Sequence, residues 1–209
     1  MKRVITVKGS NKEIMEICDE ISKMNIDCAI ETKKASYSED IDASENIIRI
    51  KIYGYDRNKM VENHKDILNL INRIHKKYSA DSRGFYEYRL SDLKVPINKE
   101  LIIDTLEALK INFKYIKDEN LIKCPVEIQE LNKILEELHA INSELNFMNI
   151  GSKPVKNVIV LASYMTGRAV EDIIDECLEK EFFREEDERI VLNKDINLVK
   201  KHLLEGNNE

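Results

Sequence analysis

The sequence predicts an α+β fold: two small βαββα modules, each a three-stranded sheet with helices on one face, followed by a winged-helix-like C-terminal unit. Three observations carry this. Six Gly and three Pro in 209 residues, 43% of them hydrophobic, leave little room for long irregular stretches, so most of the chain must be helix or strand. The order strand, helix, strand, strand, helix is written twice before residue 150. Last, residues 154–183, PVKNVIVLASYMTGRAVEDIIDECLEKEFF, set two apolar-periodic segments around Thr166-Gly167, with a short charged hairpin pattern beyond them.

The first module spans 1–80. KRVITVK (2–8) alternates as a strand, and Ser10 stands three residues before Glu13, a capping box for a helix over 11–24. Residues 26–33 alternate again, and the polar ASYSEDIDASE (35–45) reads as a long exposed loop. In NIIRIKIY (46–53), Ile48, Ile50 and Ile52 share one face of a strand. Asp56 caps a helix over 57–78 whose stripe is Met60, Ile67, Leu68, Ile71, Ile74 and Tyr78.

The second module spans 81–150. It runs through the strand FYEYRL (85–90), the amphipathic helix NKELIIDTLEALK (98–110), and a hairpin of INFKYI (111–116) and LIKC (121–124) across KDEN. A helix over about 126–145 follows, carrying Ile128, Leu131, Leu135, Leu138 and Leu145, and NFMNI (146–150) serves as a strand or tether. Gly151 to Pro154 marks a boundary. The unit 151–209 then reads as helices at about 155–166 and 169–180, strands FFRE and RIVLN across Glu186-Asp187, and a last helix from about Asp195.

Composition narrows the functional classes. No apolar run approaches the roughly 20 residues of a membrane span, and MKRVITVKGS enters a strand with no signal-peptide block; a cytoplasmic protein without a membrane partner is expected. Cys18, Cys28, Cys124 and Cys177 all fall in apolar phase, with no C-x-x-C pair and no His at ligand spacing, so they read as core thiols and no metal site is expected. Phosphate loops, dinucleotide turns, nucleophile elbows and H-E-x-x-H helices are missing. His64, His75 and His139 sit at the edges of apolar stripes and His202 near the tail, positions of packed or solvated imidazoles. No catalytic residue is assigned and no cofactor is called for. An enzyme with a site between the modules is the third choice among functional readings.

Charge is more informative. The net charge is −6, yet residues 49–89 hold ten Lys/Arg against five Asp/Glu, leaving −11 elsewhere. Part of this excess, Lys65, Arg73, Lys76 and Lys77 on the 57–78 helix, complements a helix C-terminus. The other part is Arg49, Lys51 and Tyr53 on the open face of the first sheet, running on to Tyr55 and Arg57, with Lys8 on the neighbouring strand. Interleaved cations and aromatics on an open sheet suit phosphates and stacked bases, although Asp27 and Glu31 on the second strand dilute the potential. The first reading is therefore a non-enzymatic binding or adaptor protein that contacts RNA or a ribonucleoprotein through Lys8, Arg49, Lys51, Tyr53 and Arg57.

The second reading is a purely protein-interacting module. The helix after Gly167 presents Glu171, Asp172, Asp175, Glu176 and Glu179, and the hairpin adds Glu185, Glu186, Asp187 and Glu188. A recognition helix offers Arg, Lys, Asn or Gln to DNA; this one repels it. Glu171, Asp175 and Glu179 suit instead a basic protein surface or another copy of the chain.

The strand end IYGY, the stretch GFYEYRLSDL, and VKNVIVLASYMTGRAVEDIIDECLEKE followed by RIVLNKD give the chain a resemblance over nearly its whole length. It resembles an archaeal family of conserved proteins known as a domain of unknown function. The resemblance implies an archaeal cytoplasmic origin and carries no activity.

Overall fold

The structure, a computed structural model, describes residues 1–33 and 46–205; the loop expected over 35–45 lies outside the described residues. The chain divides into two compact units, Met1–Glu87 and Tyr88–Glu209.

In the first unit, strands β1 (Lys2–Gly9), β2 (Cys28–Lys33) and β3 (Asn46–Tyr53) form an antiparallel sheet in the order β1-β3-β2. The register sets Ile5 and Ile30 opposite Ile50, Val7 opposite Ile48, and Cys28 opposite Ile52, so one face is continuously apolar. Helices α1 (Asn11–Lys23) and α2 (Arg57–Tyr78) cover it with Ile14, Ile17 and Ile21, and with Met60, Ile67, Ile71 and Ile74. Both N-caps are made, Ser10 Oγ accepting from the Glu13 amide at 3.3 Å and Asp56 Oδ1 from the Lys59 amide at 2.8 Å, but the reciprocal half of the Ser10–Glu13 capping box is replaced by a Glu13–His75 contact. Leu68, expected in the α2 stripe, is exposed; Ile67 and Ile71 hold that arc and Leu70 flanks it.

Strand β4 (Tyr86–Arg89), which spans the unit boundary, forms a sheet with β5 (Lys114–Ile116) and β6 (Leu121–Cys124) in the order β4-β6-β5. First, third, second is also the strand order of the first sheet. The strands are shorter than the sequence pattern suggests, for a local reason. Helix α3 (Lys99–Ala108) ends with Lys110 at φ 56°, and the Ile111 amide reaches back to the Leu106 carbonyl at 2.9 Å. That C-terminal cap takes Ile111 out of the strand. Helix α4 (Ile128–Glu144) buries Ile128, Leu131, Leu135 and Leu138.

Helix α5 (Lys153–Thr166) is the centre of the second unit. Val155 and every residue from Val158 to Ser163 are buried, and the helix touches α3 and α4 as well as the two helices that follow, α6 (Val170–Glu179) and α7 (Ile196–Glu205). A helix apolar on all sides belongs inside a core. Residues 151–209 thus share their central helix with the preceding segment. Gly167, at φ 68°, closes α5 with its amide on the Ser163 carbonyl at 2.8 Å, a left-handed position that glycine fills without strain. Strands β7 (Phe183–Glu186) and β8 (Arg189–Leu192) pair antiparallel; their loop is Asp187-Glu188, both at positive φ, one residue later than expected. The 146–150 segment is tied by a parallel bridge between Ile150 and Ile190.

Cys124 and Cys177 are buried, whereas Cys18 and Cys28 are half-buried at the edge of the first core. Burial raises all four thiols, and burial with the neighbouring Glu176 carboxylate pushes Cys177 up to about 12.

Candidate functional site

The strict alternation of β3 decides what the first sheet shows to solvent. With Ile48, Ile50 and Ile52 fully buried under the helices, Arg49, Lys51 and Tyr53 must point the other way. On β1, Lys2, Val4, Thr6 and Lys8 are exposed while Ile5 and Val7 are buried. The register then builds rows across the open face: Lys8 beside Ile47, Thr6–Arg49–Glu31, Val4–Lys51–Ala29, and Lys2 beside Tyr53. Four of the five residues singled out for nucleic-acid contact, Lys8, Arg49, Lys51 and Tyr53, thereby share one face.

Arg57, the fifth, follows on α2. It is exposed in the first turn, where no acidic residue stands. A cation there opposes the helix macrodipole, so local helix stability does not explain it. Tyr55, between β3 and α2, is fully exposed.

Two acids border the patch: Asp27, exposed, with its carbonyl accepting from the Tyr53 amide at 2.9 Å, and Glu31. The Glu31 carboxylate is paired with the Lys51 ammonium, which holds Glu31 below the usual carboxylate range. Lys2, Lys8 and Arg49 have no acidic partner within 4 Å among the described residues. Among the described residues the face therefore offers three cations outside any ion pair, a fourth held by an exchangeable surface pair, and the Tyr53 ring. Two of the three, Lys2 and Arg49, still feel the Glu31 charge.

The second predicted surface lies in the other unit. Glu171, Asp175 and Glu179 are exposed at four-residue spacing along α6, with Ile173, Ile174 and Cys177 buried behind them. Glu171 and Asp172 in the first turn complement the macrodipole; Glu179 in the last turn opposes it. Glu176 faces inward instead. Burial pushes its carboxyl up, but hydrogen bonds from His202 (2.8 Å), Arg168 and Lys180 outweigh burial and hold it at about 2. It is structural, and its assignment to the solvent face with Glu171 is corrected here.

The sequence reading also missed a polar seam between α1 and α2. Glu13 is buried, with Oε1 2.9 Å from His75 Nδ1, and Glu16 accepts from Lys77 (2.9 Å) and from the Tyr78 hydroxyl (2.7 Å). Burial and the Glu16 carboxylate push the Tyr78 phenol upward. These partners lie about sixty residues apart in the chain; the available signal was the run His75-Lys76-Lys77-Tyr78 at a helix end, opposite two acids on the stripe edge of α1.

Among the described residues, no group of three His, Cys, Asp or Glu is placed to hold a metal ion, and no helix is long and apolar enough to cross a membrane.

Fold and site define an α+β protein of small antiparallel sheets and packed helices, with one charged sheet face open to solvent. The chain belongs to the family described as "Uncharacterized protein conserved in archaea (DUF2067)", which it matches over residues 6–201. It is 57% identical over 204 residues to an uncharacterized protein of Methanococcus vannielii, covering 98% of each chain. It is 47% identical over 207 residues to one of Methanocaldococcus jannaschii, covering 99% of this chain and 95% of the relative. No solved structure matches.

Proposed function

We propose that this protein is a non-enzymatic adaptor of the cytoplasm that binds single-stranded RNA, free or within a ribonucleoprotein, on the open face of its first sheet. The observation that carries the reading is the placement of Arg49, Lys51 and Tyr53 on the solvent side of β3, with Lys2 and Lys8 on the adjoining strand. The cations track phosphates, and Tyr53 and the exposed Tyr55 offer stacking surfaces that suit any base. Arg57 extends the track at a position where it costs helix stability.

Neutralising Arg49, Lys51 and Arg57 together to Gln is expected to weaken binding of a labelled single-stranded RNA severely. The salt dependence should flatten by about 0.7 in log–log slope per lost phosphate contact. The converse variant, Glu31→Gln, frees Lys51 and should tighten binding. Anisotropy titrations at several salt concentrations read both. RNA affinity indifferent to both changes would overturn the assignment.

The acidic face of α6 favours a second reading, protein docking. Here residues 151–209 act as a winged-helix-like unit whose exposed helix engages a basic protein surface or a second copy, with Glu179 kept despite the macrodipole. Replacing Glu171, Asp175 and Glu179 with Gln should then abolish self-association in sedimentation, or partner capture, while RNA affinity stays put. If the acidic variant loses RNA binding instead, the two surfaces are wrongly assigned.

A further inference from the structure

Within the second unit the first turns of α3, α5 and α7 and the last turn of α4 enclose a cleft of about 960 Å³. Its lining is polar in a particular way. Lys200 is committed to Asp104 by a 2.7 Å ion pair, and Glu100 at the rim lies 3.7 Å from Lys99. Lys153 has no acidic partner among the described residues, and Lys156 meets only the neutral Asn146 side chain at 3.2 Å. Two positive charges are therefore free to take an anion on one wall.

Three carboxamides complete the lining. Asn98 spends its oxygen on the Glu100 amide at 2.9 Å, which leaves its NH₂ group. Asn142 and Asn157 are half-buried, and neither side chain has a hydrogen-bond partner among the described residues. Neither is among the buried polar atoms without a partner, so both amides reach solvent at the cleft wall and are uncommitted there to any protein group. Each also carries a donor and an acceptor side by side, the pattern that matches the edge of a heterocyclic base.

We infer that this cleft is a binding site for a phosphorylated nucleoside, with its phosphate held by Lys153 and Lys156 and its base read by Asn142 and Asn157. The volume accommodates a mononucleotide within the usual range of small-molecule sites. Ile196 supplies an apolar wall for the sugar or base. A free nucleotide and the 5′ end of an RNA present the same phosphate chemistry to the site. The inference shares no residue with the open face of the first sheet, so either can fail alone.

The test is calorimetric titration of the full chain with AMP, GMP, CMP and UMP, with the unphosphorylated nucleosides, with inorganic phosphate, and with a short 5′-phosphorylated RNA. At least one nucleotide should bind, and its nucleoside more weakly by about tenfold or more, since phosphate contacts to lysine are charge-assisted. Lys153→Gln with Lys156→Gln should remove that phosphate advantage. Asn142→Ala with Asn157→Ala should leave the phosphate advantage but erase the preference among bases. Binding of the RNA but of no mononucleotide assigns the 5′ end as the source, provided the lysine variants abolish it. Absence of heat and of thermal stabilisation with every probe, or binding indifferent to both variant pairs, overturns the site.

Discussion

Strands β3 and β6 hold the same place in sheets of the same strand order, yet they are buried differently. On β3 every second residue is buried, and Arg49 between Ile48 and Ile50 is exposed. On β6, Leu121, Ile122 and Cys124 are all buried, so both faces of the strand are covered. Length explains the contrast. The first sheet has strands of 8, 6 and 8 residues, enough area to satisfy α1 and α2 on one face and leave the other to solvent. The second has strands of 4, 3 and 4; it cannot bury its two helices alone, and α3 and α4 turn to α5 for the rest of their cover. A sheet that suffices for its own core is free to leave one face to solvent, and a sheet that does not is absorbed into a larger core.

Dissecting the chain tests this most severely. A fragment of residues 1–80 should melt cooperatively by circular dichroism, and so should 81–209, whereas 81–150 should show no transition because Val158, Ile159 and Leu161 are gone. A cooperative melt for 81–150 would break the comparison.

Point substitutions on the two central strands come next. Ile50→Ala should cost about 2–5 kcal/mol in urea unfolding, while its neighbour Arg49→Ala should stay within about 0.5 kcal/mol. On β6 the neighbours Leu121→Ala and Ile122→Ala should both cost about 2–5 kcal/mol. Alternation of the effect on β6 would mean that its outer face is solvated after all.

The first half of this contrast was legible and the second was not. Ile48, Ile50 and Ile52 with charged residues between them announce a half-buried strand, and Glu31 was already visible as a brake on the basic face. LIKC is too short to show a period, so double-sided burial left no mark in it. VIVLAS in α5 carried a signal, six successive residues without a polar face, but an apolar helix of unknown surroundings does not say which elements surround it. For Glu13–His75 and Glu16–Lys77 the basic run at the end of α2 was a hint without a partner, and the pairing itself, like the cleft carboxamides, is a product of tertiary packing.

A smaller effect separates the tyrosines of the two sheets. Tyr88 is buried and its hydroxyl donates to the Val126 carbonyl at 2.6 Å. Tyr88→Phe leaves that carbonyl dry and should cost about 1–3 kcal/mol. Tyr53→Phe, on the exposed face, should leave stability unchanged within about 0.5 kcal/mol and keeps the ring that the proposed RNA reading uses for stacking. Equal costs in urea denaturation would show that Tyr53 is held by structure and that the face is less open than its burial indicates.

The last difference concerns acid. Both units join helices through carboxylates, and Glu176 gathers three basic groups, Arg168, Lys180 and His202. Its folded value of about 2 lies below the ordinary 4.5. A carboxyl depressed on folding binds its proton more readily when unfolded, so its contribution to stability is complete above the ordinary value and fades as pH falls toward the folded one. The second unit should therefore lose stability steadily between pH 4.5 and 2 through this group. Glu176→Gln keeps the shape and a hydrogen-bond acceptor for Arg168 while removing the titration. Its urea midpoint should lie below that of the natural protein at neutral pH, and the gap should narrow through the same window. A gap that stays constant down to pH 2.5 would mean that the three partners hold a carboxylate no more firmly than they hold an amide.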